Sequence, residues 1–368
     1  MKEQKNAVTR FVGIDLGKRT YEMAIVGKGG KVTKSNGKTF VAGRQSLYRK
    51  LRPGDKVALE AGNLAFIMAK EIEAAAGCRV YVLNPSQLAI IYASMKKTDK
   101  EDSLKLAHIL EDCREERLPT VPVPDDQEMR RRKLLASYRR AQASRNRAIN
   151  QLHSLFVSQG ITTKVRKDLS TADVCGTAIQ ELTGIELQEA SYLVESLALY
   201  EKQLAVLEQQ MESESAGDEL IELLQSVPGV GPKTALAFVA YIAVQRFSNA
   251  SQVSNYIGLV PRVYISGETV RYGRITKRGN GYLRALLVQA AWALTRTKAG
   301  GTLKARYEYM TKEKSVSKKK AIVAIARRLA ELLYTMMKEG TRYEARPFQP
   351  ESKKAETGVT LAQLAMSA

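Results

Sequence analysis

The sequence predicts an α/β domain followed by all-α regions, and three observations indicate this. Short apolar strand patterns alternate with helical patterns through residues 1–118. Residues 127–157 and 186–214 contain neither glycine nor proline, so each is predicted to form one long helix. The aromatic content of 7% is low, as is typical of helical chains rich in Ala and Leu. We therefore divide the chain into an α/β domain at 1–118, a long-helix coiled-coil region at 119–215, a mainly helical domain at 216–340 and a flexible tail at 341–368.

The chain carries a strong excess of positive charge. Its 368 residues include 58 Lys and Arg against 38 Asp and Glu, which gives a formal net charge of +20. A surplus of this size favours a polyanionic partner, and nucleic acid is the natural one. No stretch approaches the roughly 18 apolar residues of a membrane span, so no membrane partner is expected.

Cysteine and histidine usage bears on the compartment and on the metal chemistry. Cys78, Cys113 and Cys175 are widely spaced and form no metal-ligand pair. Three thiols cannot all be disulfide bonded, and the first residues lack the apolar core of a signal peptide, so we expect a cytoplasmic protein. Because His108 and His153 are the only histidines, histidine-based zinc chemistry is not expected.

The first predicted strand ends in a carboxylate. An apolar run that begins at Phe11 closes with Asp15, close to Gly17. An unpaired charge inside a buried strand costs several kcal/mol, so Asp15 is expected where the strand emerges at a charged or metal-filled site. The alternative is a strand-ending Asp in a turn, for which Asp and Gly have a high propensity.

The following elements predict a mixed sheet. Two more short strands before Phe40 form an antiparallel meander with the first, and a polar helix follows near 44–51. The strand at 56–60 ends in a second carboxylate, Glu60, and is followed by a helix at 64–76 and a strand at 79–83. This alternation predicts a sheet covered on both faces, with ligands outside the strand ends. Two strand-end carboxylates at such an edge suggest a metal site.

Two more acidic residues open the next helix. Asp99 and Asp102 are three positions apart in a helix that continues through Leu110. On a helix this spacing places both side chains on one side, where they can share an ion. The alternative is that Asp99 is an N-cap and that Asp102 compensates the helix dipole in the first turn.

A proline-rich span at 119–124 marks a domain boundary, and a basic long helix follows it. Its basic cluster includes Arg130, Arg131 and Arg132. These arginines form either a solvated helix surface or a face that tracks phosphates. The second long helix has a leucine-rich face, so the two helices are predicted to pair as an antiparallel or dimerising coiled coil.

A glycine turn joins two helical segments at 223–235, a pattern typical of a helix-hairpin-helix. Gly229 and Gly231 free backbone N–H groups at a helix N-terminus, where a phosphate can bind with help from Lys233. The alternative is a plain packing corner between two helices. The spacing of the glycines excludes a P-loop.

A serine beside a glycine is followed by many basic residues. Ser266 precedes Gly267 in a predicted exposed turn. The basic residues downstream of it are Arg271, Arg274, Lys277, Arg278 and Arg284. Arginines grip phosphate in a bidentate fashion and stabilise charge that develops on it, as attack by a hydroxyl on a phosphodiester requires. The alternative is that Ser266 is an ordinary turn residue.

Together these motifs resemble the DEDD-type insertion-sequence transposases of the IS110 and IS1111 group, also described as bridge-RNA-guided recombinases. Gly13-Ile14-Asp15, a second motif ending at Glu60 and the segment 97–102 match the four acidic positions of that family in order. The motifs that match in the C-terminal half lie at 228–231, 258–261, 266–267 and 273–280. The resemblance covers nearly the whole chain.

The resemblance implies an RNase H-like (RuvC-like) domain followed by a C-terminal transposase domain. It implies that Asp15, Glu60, Asp99 and Asp102 hold a divalent metal, expected to be Mg²⁺, and that Ser266 is a nucleophile that forms a covalent phosphoserine link to DNA. The implied partners are donor and target DNA, a structured guide RNA and further copies of the chain, as a dimer that assembles to a tetramer. In this family the acidic half of one subunit meets the serine half of another. The implied location is the bacterial cytoplasm, in association with the nucleoid.

Two other functions stay open on the sequence alone. A metal-dependent RuvC-like nuclease or Holliday junction resolvase would cleave with water, and Ser266 would then be a turn residue. A non-catalytic nucleic-acid-binding scaffold would explain the net charge. It leaves the acidic positions unexplained, because acidic clusters weaken phosphate binding unless a metal offsets them.

Overall fold

The computed structural model describes residues 10–62, 64–85, 87–88, 99–162, 164, 166–266 and 269–345. Contacts divide the chain into two compact units, and the division lies between Asp125 and Asp126. The predicted α/β region falls in the first unit, and both long helices fall in the second.

The first unit contains a mixed five-stranded sheet. Its strands are β1 (Phe11–Leu16), β2 (Thr20–Val26), β3 (Val32–Lys38), β4 (Lys56–Glu60) and β5 (Arg79–Leu83). Its longer described helices are α1 (Val41–Tyr48), α2 (Ala65–Ala76) and α3 (Asp99–Asp112). The strand order is β3-β2-β1-β4-β5. The first three strands pair antiparallel, and β4 and β5 extend the sheet in parallel with β1. This is the meander and the mixed sheet that the sequence predicts.

The alternation of side chains along the strands separates two faces of this sheet. On one face, Val12 and Leu59 pack with residues of α1 and α2, including Met68. On the other face, Ala58 packs with residues of α3, including Leu106. Because strand side chains alternate with a period of two, the odd-numbered residues of β1 and the even-numbered residues of β4 turn toward α3.

Helix α3 lies directly on the backbone of β1, because Gly13 has no side chain. A Cβ atom at Gly13 would lie 1.9 Å from the carbonyl oxygen of Ser103 and 2.6 Å from the backbone nitrogen of Ala107. Only glycine permits an approach this close. Asp102 immediately precedes Ser103, so its backbone lies next to this contact.

The second unit is mainly helical. Its helices are α4 (Asp126–Ser158), α5 (Ala172–Ala178), α6 (Gly184–Ser215), α7 (Glu219–Gln225), α8 (Pro232–Tyr241), α9 (Ala250–Ile257), α10 (Gly281–Arg296), α11 (Gly301–Glu308) and α12 (Lys318–Glu339). The strands β6 (Pro261–Ser266) and β7 (Thr269–Ile275) form an antiparallel hairpin. Among the described helices, none combines the length and the apolar character that crossing a bilayer requires.

The two long helices are antiparallel neighbours. The Tyr138 hydroxyl on α4 donates a hydrogen bond to Glu208 on α6 at 2.9 Å, and Arg145 Nη2 donates one to Glu201 at 3.1 Å. The residue numbers of the α6 partners decrease as those on α4 increase, so the two helices run antiparallel. The predicted helices at 127–157 and 186–214 are confirmed, with slightly wider bounds.

The long helices share a hydrophobic core with the C-terminal helices. Leu135 of α4 and Met211 of α6 lie in the same core as Phe238 and Leu329. Tyr343 packs against this core too, and its N–H donates to Ser226 Oγ at 3.1 Å. The start of the predicted tail is therefore held in place, and the rest of the tail lies outside the described residues. The division into three domains stays a prediction.

Candidate functional site

The predicted acidic residues of β1 and β4 meet at one end of the sheet. The two strands are parallel, with Ile14 beside Leu59. The next residues, Asp15 and Glu60, are therefore neighbours at the carboxyl ends of their strands, on the face that turns toward α3. Both line one cleft of about 560 Å³, together with Lys18 and residues of the loops that follow β1 and β4. The structure thus brings these two predicted residues together.

The other two predicted acids belong to α3. Asp102 lies in its first turn, 25% exposed, and its carboxylate accepts a hydrogen bond from Lys105 Nζ at 3.0 Å. Asp99 is the first residue of α3, but its side chain lies outside the described part of the structure. Among the side chains that the structure describes, no three Asp, Glu, His or Cys groups lie close enough to hold one ion.

The chemistry of these residues fits a hard divalent cation. Asp15 and Glu60 offer carboxylate oxygens, which are the ligands that Mg²⁺ prefers. The lining residues that the structure describes include no thiol or imidazole that would favour zinc. Asp15 is half-buried and Glu60 is exposed, so the cleft is open to a charged ligand from solvent.

Glu22 is a further carboxylate on this face, and the sequence did not single it out. The antiparallel register pairs Asp15 of β1 with Glu22 of β2, so both side chains project from the same face of the sheet. A sequence signal was present, because Glu22 lies between the apolar residues Tyr21 and Met23 of its strand. Its position beside Asp15 follows only from the register of the two strands.

The predicted nucleophile lies at the tip of the β6–β7 hairpin. Ser266 is the last residue of β6 and is exposed. The register pairs Ser266 with Thr269 and Tyr264 with Arg271. All four side chains therefore project from one face of the hairpin. Gly267 and Glu268 lie outside the described residues.

The opposite face of the hairpin is apolar. Val263, Ile265, Val270 and Tyr272 alternate with the residues of the serine face and are 49%, 56%, 50% and 73% exposed. The hairpin thus presents Ser266 and Arg271 on a polar face and four large apolar side chains on the other.

Two glycines hold a basic loop against the base of the hairpin. A Cβ at Gly258 would lie 2.3 Å from the carbonyl oxygen of Arg278, and one at Gly279 would lie 2.0 Å from that of Tyr256. Both glycines have left-handed φ angles, of +77° and +69°. The N–H of Lys277 donates to the carbonyl oxygen of Gly258 at 3.1 Å. The sequence motifs at 258–261 and 273–280 therefore pack against each other.

The Arg284 side chain is hydrogen-bonded to the backbone of this loop. Its Nη1 donates to the backbone carbonyl oxygens of Ile257 at 2.8 Å and of Gly279 at 3.3 Å, and also to that of Arg278. Burial lowers the pKa of the Arg284 guanidinium from its ordinary value, because desolvation disfavours the charged form. Arg284 therefore positions the loop, whereas the sequence suggested that it faces a phosphate.

The remaining basic residues of this segment face solvent. Arg271, Arg274, Lys277 and Arg278 are all exposed. Lys277 has a φ of +56°, a left-handed conformation that costs a non-glycine residue about 1–2 kcal/mol. These four side chains are accessible from solvent, and their contact with a nucleic acid stays a prediction.

The basic cluster of α4 needs a correction. Arg131 is only 3% exposed, and its Nη2 lies 2.6 Å from Asp218 Oδ2. Arg132 donates from Nε to the carbonyl oxygen of Ala240 at 2.7 Å and is half-buried. Arg130 is exposed but pairs with Glu214 at 3.1 Å. Because α4 packs this turn onto other helices, Arg131 cannot face a phosphate backbone, and Arg132 serves mainly to join helices.

Lys233 is likewise engaged inside the unit. Its Nζ donates to the Tyr138 hydroxyl at 2.6 Å and to Glu208 Oε1 at 2.8 Å, joining α8 to α4 and α6. Burial works to lower the pKa of Lys233, but the bonds to Glu208 and Tyr138 raise it overall. The preceding turn packs closely, since a Cβ at Gly229 would lie 2.6 Å from the backbone nitrogen of Leu294. The phosphate-binding role of this turn stays a prediction.

Comparison with known proteins links both units to transposases. Residues 12–159 match a DEDD transposase family of IS110 type, described as "Transposase". Residues 221–308 match the family described as "Transposase IS116/IS110/IS902 family". The first match covers β1, β4 and α3, which carry the predicted acidic residues, and the second covers the serine hairpin. The two family matches thus define an insertion-sequence transposase of the DEDD type.

Individual relatives agree with this class. A "Probable family 20 transposase" of Pseudomonas aeruginosa is 27% identical over 341 residues, which are 90% of this chain and 98% of that protein. The "Transposase for insertion sequence element IS1111A" of Coxiella burnetii is 32% identical over 37% of this chain and 38% of its own length. A "Putative transposase y4rJ" of Sinorhizobium fredii is 26% identical over 77% of each chain. The chain belongs to the IS110 family of DEDD transposases.

Membership defines the general chemistry. Transposases act on DNA by strand transfer, and the DEDD type of domain depends on divalent metal ions.

Proposed function

We propose that this transposase carries out RNA-guided DNA strand exchange, with a metal-binding acidic site and a serine nucleophile. The observation that carries the proposal is the serine face of the β6–β7 hairpin. There an exposed Ser266 and an exposed Arg271 project from the same side. A hydroxyl at a hairpin tip can reach a phosphodiester, and a guanidinium beside it can hold the phosphate oxygens.

The acidic site would prepare the phosphodiester. We assign Asp15, Glu60, Asp99 and Asp102 as the ligands of a divalent ion, expected to be Mg²⁺, in an RNase H-like domain. When bound, such an ion supplies Lewis acidity and orients a phosphate for in-line attack. The parallel pairing of β1 and β4 supports this assignment, because it holds two of the four carboxylates in one cleft.

The covalent step belongs to Ser266. Its Oγ forms a bond to phosphorus while the bond from phosphorus to the leaving strand oxygen breaks. The serine proton passes to a base in solution, and the leaving oxygen takes up a proton. A hydroxyl of the exchanged strand then bonds to phosphorus and loses its proton, while the bond from phosphorus to Oγ breaks and Oγ takes up a proton. This step restores Ser266 and rejoins the DNA. No external energy source is needed, because each phosphoester bond that breaks is replaced by another.

The partners follow from charge and accessibility. The net charge of +20 and the exposed residues Arg271, Arg274, Lys277 and Arg278 support binding to DNA and to a structured guide RNA. The family resemblance suggests a dimer that assembles to a tetramer, in which the acidic site of one subunit and the serine of another act on one phosphodiester.

A recombination assay tests this proposal. A plasmid that carries donor and target sites, expressed together with the RNA that copurifies with the protein, should recombine with the wild-type chain. Ser266→Ala should abolish recombination while the RNA still copurifies. Products that are cut but never rejoined, at equal yield with Ser266→Ala, would favour a hydrolytic nuclease or junction resolvase instead.

A further inference from the structure

A basic turn joins β1 to β2 beside the acidic cleft. Its two residues, Lys18 and Arg19, are both exposed. The N–H of Gly17 donates to the carbonyl oxygen of Thr20 at 2.9 Å and closes the turn. A Cβ atom at Gly17 would lie 2.9 Å from that same oxygen, so glycine permits a closure this tight. The backbone that carries Lys18 is therefore a compact turn.

Thr39 holds the backbone of this turn in place. Its N–H donates to the carbonyl oxygen of Arg19 at 3.1 Å, and its hydroxyl donates to the carbonyl oxygen of Lys18 at 2.9 Å. Thr39 itself is only 4% exposed. Because a buried residue bonds both carbonyl groups, the turn is fixed relative to the sheet while its two side chains stay exposed. A side chain on a rigid element holds a ligand more precisely than one on a loose loop.

Lys18 supplies positive charge to the acidic cleft. It lines the cleft together with Asp15 and Glu60, and it is the one basic residue among the lining residues that the structure describes. Carboxylates repel the phosphates of a nucleic acid, and a bound divalent ion offsets this repulsion mainly for the phosphate that it contacts. A neighbouring phosphate in the cleft therefore needs a cation from the protein.

We infer that Lys18 binds a backbone phosphate of the DNA strand that enters the acidic cleft. An ammonium group acts as a point charge and contacts phosphate oxygens without fixing their plane. Contacts of this kind set the register of a strand and do not read its sequence. The inference rests on the acidic cleft of the proposed function and adds a substrate-binding residue to it. It involves neither the serine nor a proton transfer.

The salt dependence of DNA binding tests the inference, and it requires no chemical step. Labelled duplex DNA that spans one end of the insertion sequence is titrated with full-length protein in Mg²⁺, and fluorescence anisotropy is read at several salt concentrations. Every protein carries Ser266→Ala, so no covalent step can interfere. Lys18→Gln should lower the affinity about tenfold and reduce the slope of log K against log salt by about 0.9, as expected for one lost phosphate contact. Lys18→Arg keeps the charge and should keep the slope.

A matched control lies at the opposite end of the sheet. Lys31 is exposed in the segment between β2 and β3, so Lys31→Gln removes the same charge from the same unit and should leave the slope unaltered. Circular dichroism checks that each variant is folded. An unchanged slope with Lys18→Gln, or an equal reduction with Lys31→Gln, would overturn the inference. A loss seen only with the RNA that copurifies, titrated in the same assay, would overturn it too, because the inferred ligand is a DNA strand.

A neutral phosphate provides a second test. A single methylphosphonate is placed at successive positions of the DNA, and each duplex is titrated with the parent protein and with Lys18→Gln. At one position the substitution should weaken binding about tenfold for the parent and less than about twofold for the variant, since both changes remove the same contact. Additive losses at every position would overturn the inference. Absence of a DNA adduct on Ser266 would count against the proposed function alone, because neither binding test involves the serine.

Discussion

Gly13 and Ser103 are in direct backbone contact, with the position of a Cβ at Gly13 only 1.9 Å from the carbonyl oxygen of Ser103. The contact joins two motifs that lie far apart in sequence. Gly13 is two residues before Asp15, and Ser103 is one residue after Asp102. Because residue 13 is glycine, helix α3, which carries Asp102, can lie directly on strand β1, which carries Asp15.

Substitution of Gly13 should disrupt the first unit. Gly13→Ala would place a methyl group inside the backbone of α3, and overpacking of this kind costs about 1–3 kcal/mol or more. Gly27→Ala is the control, since its Cβ would find its nearest neighbour at 3.8 Å and its φ is −102°. Denaturant unfolding of both variants measures the difference. Equal stability would show that α3 does not lie on β1 as described.

Neutralising the strand-end acids should remove activity without unfolding the protein. Asp15→Asn and Glu60→Gln are expected to lower strand exchange on the order of a hundredfold or more, because each removes a charged ligand of the proposed ion. Glu73→Gln on α2, which is exposed and outside the cleft, should behave as wild type. Recombination and unfolding curves are measured on the same preparations. Activity within twofold of wild type in both cleft variants would exclude the cleft as the metal site.

Substitutions of Arg271 and Arg131 should have different effects, the first on DNA binding and the second on stability. Arg271 is exposed on the serine face, so Arg271→Gln should weaken DNA binding and reduce the slope of log K against log salt by about 0.9. Stability should be unchanged. Fluorescence anisotropy at several salt concentrations measures the slope, and an unchanged slope would remove Arg271 from the DNA contact.

Arg131→Gln should instead destabilise the second unit. Removing the buried guanidinium takes one partner from Asp218, whose side chain is 19% exposed and still accepts hydrogen bonds from the N–H groups of Leu220 and Ile221. The expected cost is therefore about 1–3 kcal/mol. The salt slope of DNA binding should match that of the wild type in conditions where the variant is folded. Denaturant unfolding measures the loss, and full stability with a reduced slope would restore Arg131 as a phosphate contact.

The Glu208–Lys233 pair should stabilise the protein in a defined pH window. The hydrogen bond from Lys233 lowers the pKa of Glu208 below 4.5, so this contribution is present above pH 4.5 and is lost as pH falls through the lowered value. The pKa of Lys233 is raised above 10.5, so its contribution is present below that pH and is lost as pH rises through the raised value.

Glu208→Gln is therefore expected to lower stability by about 0.5–1 kcal/mol at neutral pH, a modest value because the pair is partly exposed. The difference from wild type should vanish in acid well below pH 4.5. Glu212→Gln, exposed on the same helix, is the control. Unfolding curves across pH check this, and a difference that grows in acid would contradict the assignment.

The sequence predicted much of the first unit because local patterns determine it. Strand alternation and apolar runs located β1 and β4, and the change from a meander to alternating strands and helices predicted that both belong to one mixed sheet. Asp15 and Glu60 could be paired on that basis. Glu22 could not, because its position beside Asp15 depends on the register of a hairpin, which composition does not encode locally.

The roles of individual basic residues could not be predicted from the sequence. Arg130, Arg131 and Arg132 are consecutive, so they point to different sides of α4, and only the packing of α7 and α8 decides which becomes buried. Lys233 and Arg284 are also basic residues near glycine motifs, yet each bonds groups in its own unit. Charge in a sequence predicts a polyanionic partner for the whole chain but not the role of a single side chain.

Trapping of a covalent protein–DNA adduct tests whether Ser266 is the nucleophile. Donor and target DNA, guide RNA and wild-type protein are mixed, denatured and separated on a gel, and the adducted peptide is mapped by mass spectrometry. We expect a DNA adduct on Ser266 with the wild type and none with Ser266→Ala, whereas Thr269→Ala on the neighbouring strand should retain the adduct. An adduct of undiminished yield with Ser266→Ala, or one mapped to another residue, would contradict it.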